Sequence, residues 1–104
     1  MNSNKIISTL KIKMNVIKRL AKEHNYYIKE KEKSQEHIEI MKINERDPYD
    51  IKKQEEIFGE NHNMVIDSRN RLKIAKNDLE EFLQEEDMTD IPETLLLESR
   101  DLIY

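Results

Sequence analysis

The chain has no cysteine and no tryptophan, a single glycine, two prolines, and no long apolar run among its 104 residues. Each absence excludes something. Without cysteine there is no disulfide framework, thiolate nucleophile or thiolate-held metal, and a reducing compartment is permitted. With Gly59 as the only glycine, no glycine-rich phosphate loop can form. No stretch approaches the roughly 18 apolar residues of a membrane span, and residues 1–13 lack the apolar core of a signal peptide, so a cytoplasmic protein is expected. A chain this short buries only roughly two-thirds of its unfolded surface. One domain with a thin core is therefore expected over residues 1–104.

What is present is charge, at 38% of residues, interleaved with aliphatic side chains. Strong helix formers dominate and breakers are nearly missing, the composition of long amphipathic helices. Apolar residues Ile6, Ile7, Leu10, Met14, Ile17, Leu20, Ala21, Tyr27, Ile28, Ile38 and Met41 fall on one helical stripe. This predicts a first helix over about 4–44, with a seam weakened by Lys13, His24, Lys31, Ser34 and Gln35. Asp47-Pro48 then supplies a capping carboxylate and a preset first-turn angle, and Asp50 places negative charge where the helix dipole favours it. From there Ile51, Phe58, Val65, Leu72 and Leu79 recur every seven residues, predicting a second helix over about 48–86. Each long helix would run about 60 Å at 1.5 Å per residue. Met88-Thr89-Asp90-Ile91-Pro92 repeats the capping pattern and predicts a short third helix over about 91–103, carrying Leu95, Leu96, Leu97, Leu102, Ile103 and Tyr104.

Short connections make neighbouring helices antiparallel. The expected fold is all-α: an antiparallel three-helix bundle of two long helices and a short C-terminal one, packed like a coiled coil. Folding the first hairpin about Arg46 sets Leu10 near Phe82, Ile17 near Ala75 and Leu20 near Leu72, and puts Lys31 near Asn61 and Ser34 near Phe58. It also sets six basic residues of the segment 1–22, which has no acidic one, beside ten acidic residues of 78–104, so much of that charge should cancel internally.

Other chemistries find little support. The basic start of helix one lacks an aromatic platform, and the chain is net negative by four, which argues against nucleic acid. His24, His37 and His62 form no His-x-x-x-His pair and no Glu-x-x-His motif, so no metal is expected. Carboxylates are abundant, but a narrow bundle offers no desolvated pocket to shift one, and no enzyme is expected. Gly59 sits inside helix two, explained equally by a close helix contact or by drift.

Two segments go beyond pattern. The run Lys11-Ile12-Lys13-Met14-Asn15-Val16-Ile17-Lys18-Arg19-Leu20-Ala21-Lys22-Glu23, with Tyr27 and Lys29-Glu30, resembles the first helix of the tubulin-binding cofactor A family. Tyr49-Asp50-Ile51-Lys52-Lys53-Gln54-Glu55-Glu56-Ile57, with Glu60, Met64, Asp67 and Arg71-Leu72, resembles that family's second helix. The resemblance implies a noncatalytic folding cofactor without nucleotide or metal. Such a cofactor captures β-tubulin after chaperonin release and passes it toward the α/β heterodimer. It also implies a cytoplasmic, cytoskeleton-associated location, with other tubulin-folding cofactors as further candidate partners and either a monomer or a homodimer. Ile66 stands where the family pattern often has a proline, which predicts a straighter second helix here.

Lys13, Lys18, Arg19, Lys22, Tyr49, Asp50, Lys52 and Lys53 lie off or at the margin of the seam, where packing does not account for them. They are the candidate partner-contacting residues: cationic groups facing an acidic partner, with Tyr49 as an anchor. The alternative is a structural coiled-coil subunit that completes its stripe with another chain. Either way, the apolar side chains are expected to be spent on internal seams. The arm around Lys31, Ser34, Phe58 and Asn61 should be the less stable part. Its amides should exchange faster than those around Leu10 and Phe82; equally slow exchange along both arms would contradict this.

Overall fold

The computed structural model describes all 104 residues as three helices without a strand. Helix α1 spans Ser3–Ile43, α2 spans Pro48–Glu85 and α3 spans Glu93–Ile103. The starts of the long helices are set by side chains. Asn2 Oδ1 accepts the Lys5 amide at 2.8 Å, satisfying one of the free donors of the first turn of α1. Asp47 Oδ1 accepts the Tyr49 amide at 2.8 Å while its own carbonyl takes the first intrahelical bond from Ile51. Pro48, which has no amide to satisfy, occupies the position between them. Helix α1 ends with paired bonds, Arg46 N to Met41 O and Glu45 N to Lys42 O, that turn the chain out of the helix. Glu45 takes the left-handed conformation this requires, with φ of 51°, at a position where glycine is more common.

The start of α3 departs from the sequence expectation. The helix begins at Glu93, and Asp90 does not cap it: Pro92 is the N-cap residue, with no side-chain cap. The cause is the residue inserted between aspartate and proline. In Asp47-Pro48 the two are adjacent, whereas Ile91 intervenes here and is pulled under the helix, 6% exposed. The turn is held instead by Asp87, whose carboxylate accepts both the amide and the hydroxyl of Thr89. Those bonds hold the Asp87 carboxyl below its usual range.

Contacts group the chain into two compact bodies within the expected single span. The first comprises Met1–Ala21 and Arg71–Tyr104, with all of α3. Its core joins Ile6, Leu10, Met14 and Ile17 of α1 to Leu79 and Phe82 of α2 and to Ile91, with Leu72, Ala75, Leu95, Leu96, Leu102 and Ile103 packed around them. Leu10 and Phe82 thus belong to one core, and Ile17 and Ala75 to the same one. The basic start of α1 is neutralised here as well, Lys13 meeting Asp78 at 2.6 Å and Lys18 meeting Glu98 at 3.1 Å.

The second body, Lys22–Asn70, is the hairpin of α1 and α2 alone. Ile38 is its single buried apolar side chain; the other buried positions are Ser34 and Ser68. Ser34 bonds to Asn61 and the Lys31 ammonium stands 5.7 Å from the Phe58 ring centroid, a crossed exchange about the expected alignment, on which His24 and Ser68 meet directly. Short side chains lean toward their own helix N-terminus, and a long lysine reaches past its neighbours, so contacts do not follow a flat ladder.

A Cβ built on Gly59 would meet nothing within 4 Å, which removes close helix contact as the reason for that glycine. Gly59→Ala should therefore stabilise the chain by about 0.5–1 kcal/mol in urea unfolding. Leu10→Ala, at a fully buried site, should cost about 3 kcal/mol. Equal, small effects at both sites would contradict this assignment of the core.

Candidate protein-binding surfaces

No group of three or more metal-binding side chains is assembled anywhere in the chain. No buried side-chain polar atom is left without a partner. What the molecule offers is surface.

In the first body, the lysines singled out from the sequence are already engaged. Lys13 is held between the Asp78 carboxylate and the Phe82 ring, its ammonium 5.4 Å from the ring centroid. Lys18 ties α1 to α3 through Glu98, and beside it Lys11, Met14, Asn15 and Leu95 complete a shallow groove. Arg19 is exposed. At the C-terminus the Tyr104 hydroxyl donates to Glu80 at 2.9 Å. This bond, with its carboxylate, pushes the phenol above its ordinary range.

In the second body, Lys22 and Lys52 are exposed, while three candidates are brought together where α2 begins. Tyr49 is 64% exposed, and the Lys53 ammonium lies 5.4 Å from its ring centroid, within cation–π range. Asp50 and Lys53 line an open groove of about 370 Å³ whose other walls are His37, Ile40, Met41, Asn44, Arg46 and Gln54. The spacing explains its construction. Positions 37, 40, 41 and 44 share one face of α1, as 50, 53 and 54 share one face of α2, and the tight turn at 44–47 sets the two faces side by side. Ile40 and Met41 give the groove its apolar lining, and Arg46, Lys53 and Asp50 give it charge.

Sequence reasoning did not find His37, Ile40, Asn44, Arg46 or Gln54. The available signal was Ile40 itself, an aliphatic residue off the packing stripe and 50% exposed. Nor are all apolar side chains spent on seams. Ile12 and Ile74 in the first body, and Ile43 in the second, are each more than half exposed. Single exposed aliphatics are ordinary on a protein surface, but Ile40 shares the groove with Lys53, whose ammonium in turn faces the Tyr49 ring.

Charged amphipathic helices with open grooves define an all-α helical bundle. The sequence matches the family described as Tubulin binding cofactor A over residues 5–103. It is 48% identical to Tubulin-specific chaperone A of Gallus gallus over 77 residues, 74% of this chain and 71% of that protein. With Tubulin-specific chaperone A of Dictyostelium discoideum it shares 40% identity over 96 residues, 91% of this chain and 85% of that one. The crystal structure of tubulin folding cofactor A from Arabidopsis thaliana superposes with a TM-score of 0.87 at 34% identity, covering 95% of this chain and 92% of that one. The chain belongs to the tubulin binding cofactor A family.

The Tyr104–Glu80 bond has a checkable pH signature. The phenol titrates higher in the folded chain than in the unfolded one, so the bond contributes stability below the ordinary tyrosine range and loses it as pH rises through the raised value. In ultraviolet phenolate titration, Glu80→Gln should move one tyrosine back toward its ordinary pKa, and Tyr104→Phe should remove that component. An unchanged titration in Glu80→Gln would place Tyr104 in solvent.

Proposed function

We propose that this chain is a tubulin-folding chaperone. It captures β-tubulin after chaperonin release, holds it in stoichiometric complex without catalysis, and passes it toward α/β heterodimer assembly. The observation that carries this reading is the family match across nearly the whole chain, together with relatives named as tubulin-specific chaperones. The architecture is compatible with holding rather than turnover, since its recognition features are open surfaces. Such a protein would act in the cytoplasm, in association with the cytoskeleton and alongside other tubulin-folding cofactors; no helix of this chain is long and apolar enough to cross a membrane.

The contact surface we assign to β-tubulin includes the exposed cations Lys18, Arg19 and Lys22 on α1 and Tyr49, Asp50, Lys52 and Lys53 at the start of α2. Lys13 and Lys18 would meet the client with ammonium groups already shared with Asp78 and Glu98. Long-range attraction between a cationic stripe and an acidic client would speed encounter, and the exposed Tyr49 would supply desolvated area once bound.

In a pull-down from cytosolic lysate the tagged chain should enrich β-tubulin without α-tubulin. Charge reversal at Lys18 and Arg19 should reduce that capture at least tenfold while circular dichroism shows normal helicity. Undiminished capture by a normally helical variant would remove these two residues from the surface, and no enrichment by the parent chain would remove the function itself.

A further inference from the structure

The seam of the second body is polar at the depth where a helical hairpin is ordinarily aliphatic. Ser34 is 8% exposed and Ser68 is 3% exposed, against Ile38 as the one buried apolar residue of that body. The polar groups are fully matched. The Asn61 amide donates to Ser34 Oγ at 2.6 Å and to the Glu30 carbonyl at 3.4 Å, and the Ser34 hydroxyl donates to the same carbonyl at 2.8 Å. One turn or more away, Ser68 Oγ donates to the Val65 carbonyl at 3.1 Å, leaving its oxygen to accept from His24 Nδ1 at 2.9 Å. Each cluster joins α1 to α2.

We infer that the Ser34–Asn61 pair, seconded by His24–Ser68, is a register and partner-selection element: it lets the α1 and α2 faces of this body pair in only one alignment and disfavours an apolar helix face as partner to either. The argument is one of unpaired groups. A slip of one heptad would set Asn61 opposite Tyr27 or Met41 in place of Ser34, leaving its half-buried amide without the Ser34 acceptor. An aliphatic face offered by another helix would leave it unmatched equally, whereas an apolar seam would accept either arrangement. Buried polar pairs of this kind cost stability relative to a well-packed apolar seam and give specificity in return. Alignment matters locally, because the groove in this body needs Ile40 and Met41 of α1 opposite Asp50, Lys53 and Gln54 of α2. Asn61 and Ser34 are thus positioning residues for that groove. This inference does not depend on the identity of the client.

The test replaces both groups by aliphatics, Ser34→Leu with Asn61→Leu, and compares the variant with the parent chain at equal concentrations. The expected result is a higher urea midpoint together with loss of the single state. That loss would be read as increased mass in sedimentation equilibrium, or as doubled amide resonances within residues 22–70. Asn61→Ala alone should lower the midpoint while retaining the parent's mass and one set of resonances. A double variant with the parent's mass and one set of resonances would overturn the inference, whether its midpoint rose or fell. If the leucine pair does not fold, Ser34→Ala with Asn61→Met carries the same expectations and the same refuting outcome.

Discussion

Burial of one small aliphatic cluster is the constraint on which the rest of the structure depends. Leu10, Ile17 and Leu79 are almost wholly removed from solvent, and around them two long helices and a short one each supply a face. Helices so rich in charge have little tendency to associate by themselves, and an exposed ion pair adds at most about 1 kcal/mol. The aliphatic cluster therefore supplies the main driving force, and pairs such as Lys13–Asp78 and Lys18–Glu98 decorate a contact it has already made. α3 matters out of proportion to its 11 residues, because Leu95, Leu96, Leu102 and Ile103 close the side of the cluster that two helices leave open.

The second body illustrates what happens without a third helix. With two faces only, few side chains can be enclosed, and beside Ile38 the enclosed positions, Ser34 and Ser68, carry hydroxyls. Hydrogen bonds satisfy those groups but add modest net stability. The consequence is a hairpin closed by less apolar burial than the first body. Its surface features gather at the turn, where Tyr49, Lys53 and the groove lined by Ile40 and Met41 lie close to a strained but defined connection at Glu45.

Much of this was legible in the amino-acid order. Seven-residue recurrence from Ile51 to Leu79 encodes a helix, and Asp47-Pro48 encodes where it starts, because both are local properties. The polar interruptions at His24 and Ser34 marked the weak seam. Their partners Ser68 and Asn61 were not legible, since a hydrogen bond between helices depends on a rotational setting that spacing alone does not fix. Lys13 and Lys18 meet acids of the segment 78–104 that the hairpin set beside them, but which acid each would meet was not fixed by spacing. The groove combines residues from either side of a turn, and Ile91 shows how one inserted residue converts an apparent cap into a buried plug.

The central claim is that apolar burial is concentrated in residues 1–21 and 71–104, while residues 22–70 are held together by a thinner, polar seam. Scanning calorimetry of the intact chain tests it most directly. The account predicts a calorimetric enthalpy larger than the van 't Hoff enthalpy, with a smaller transition preceding the main one. A single transition with equal enthalpies would contradict it.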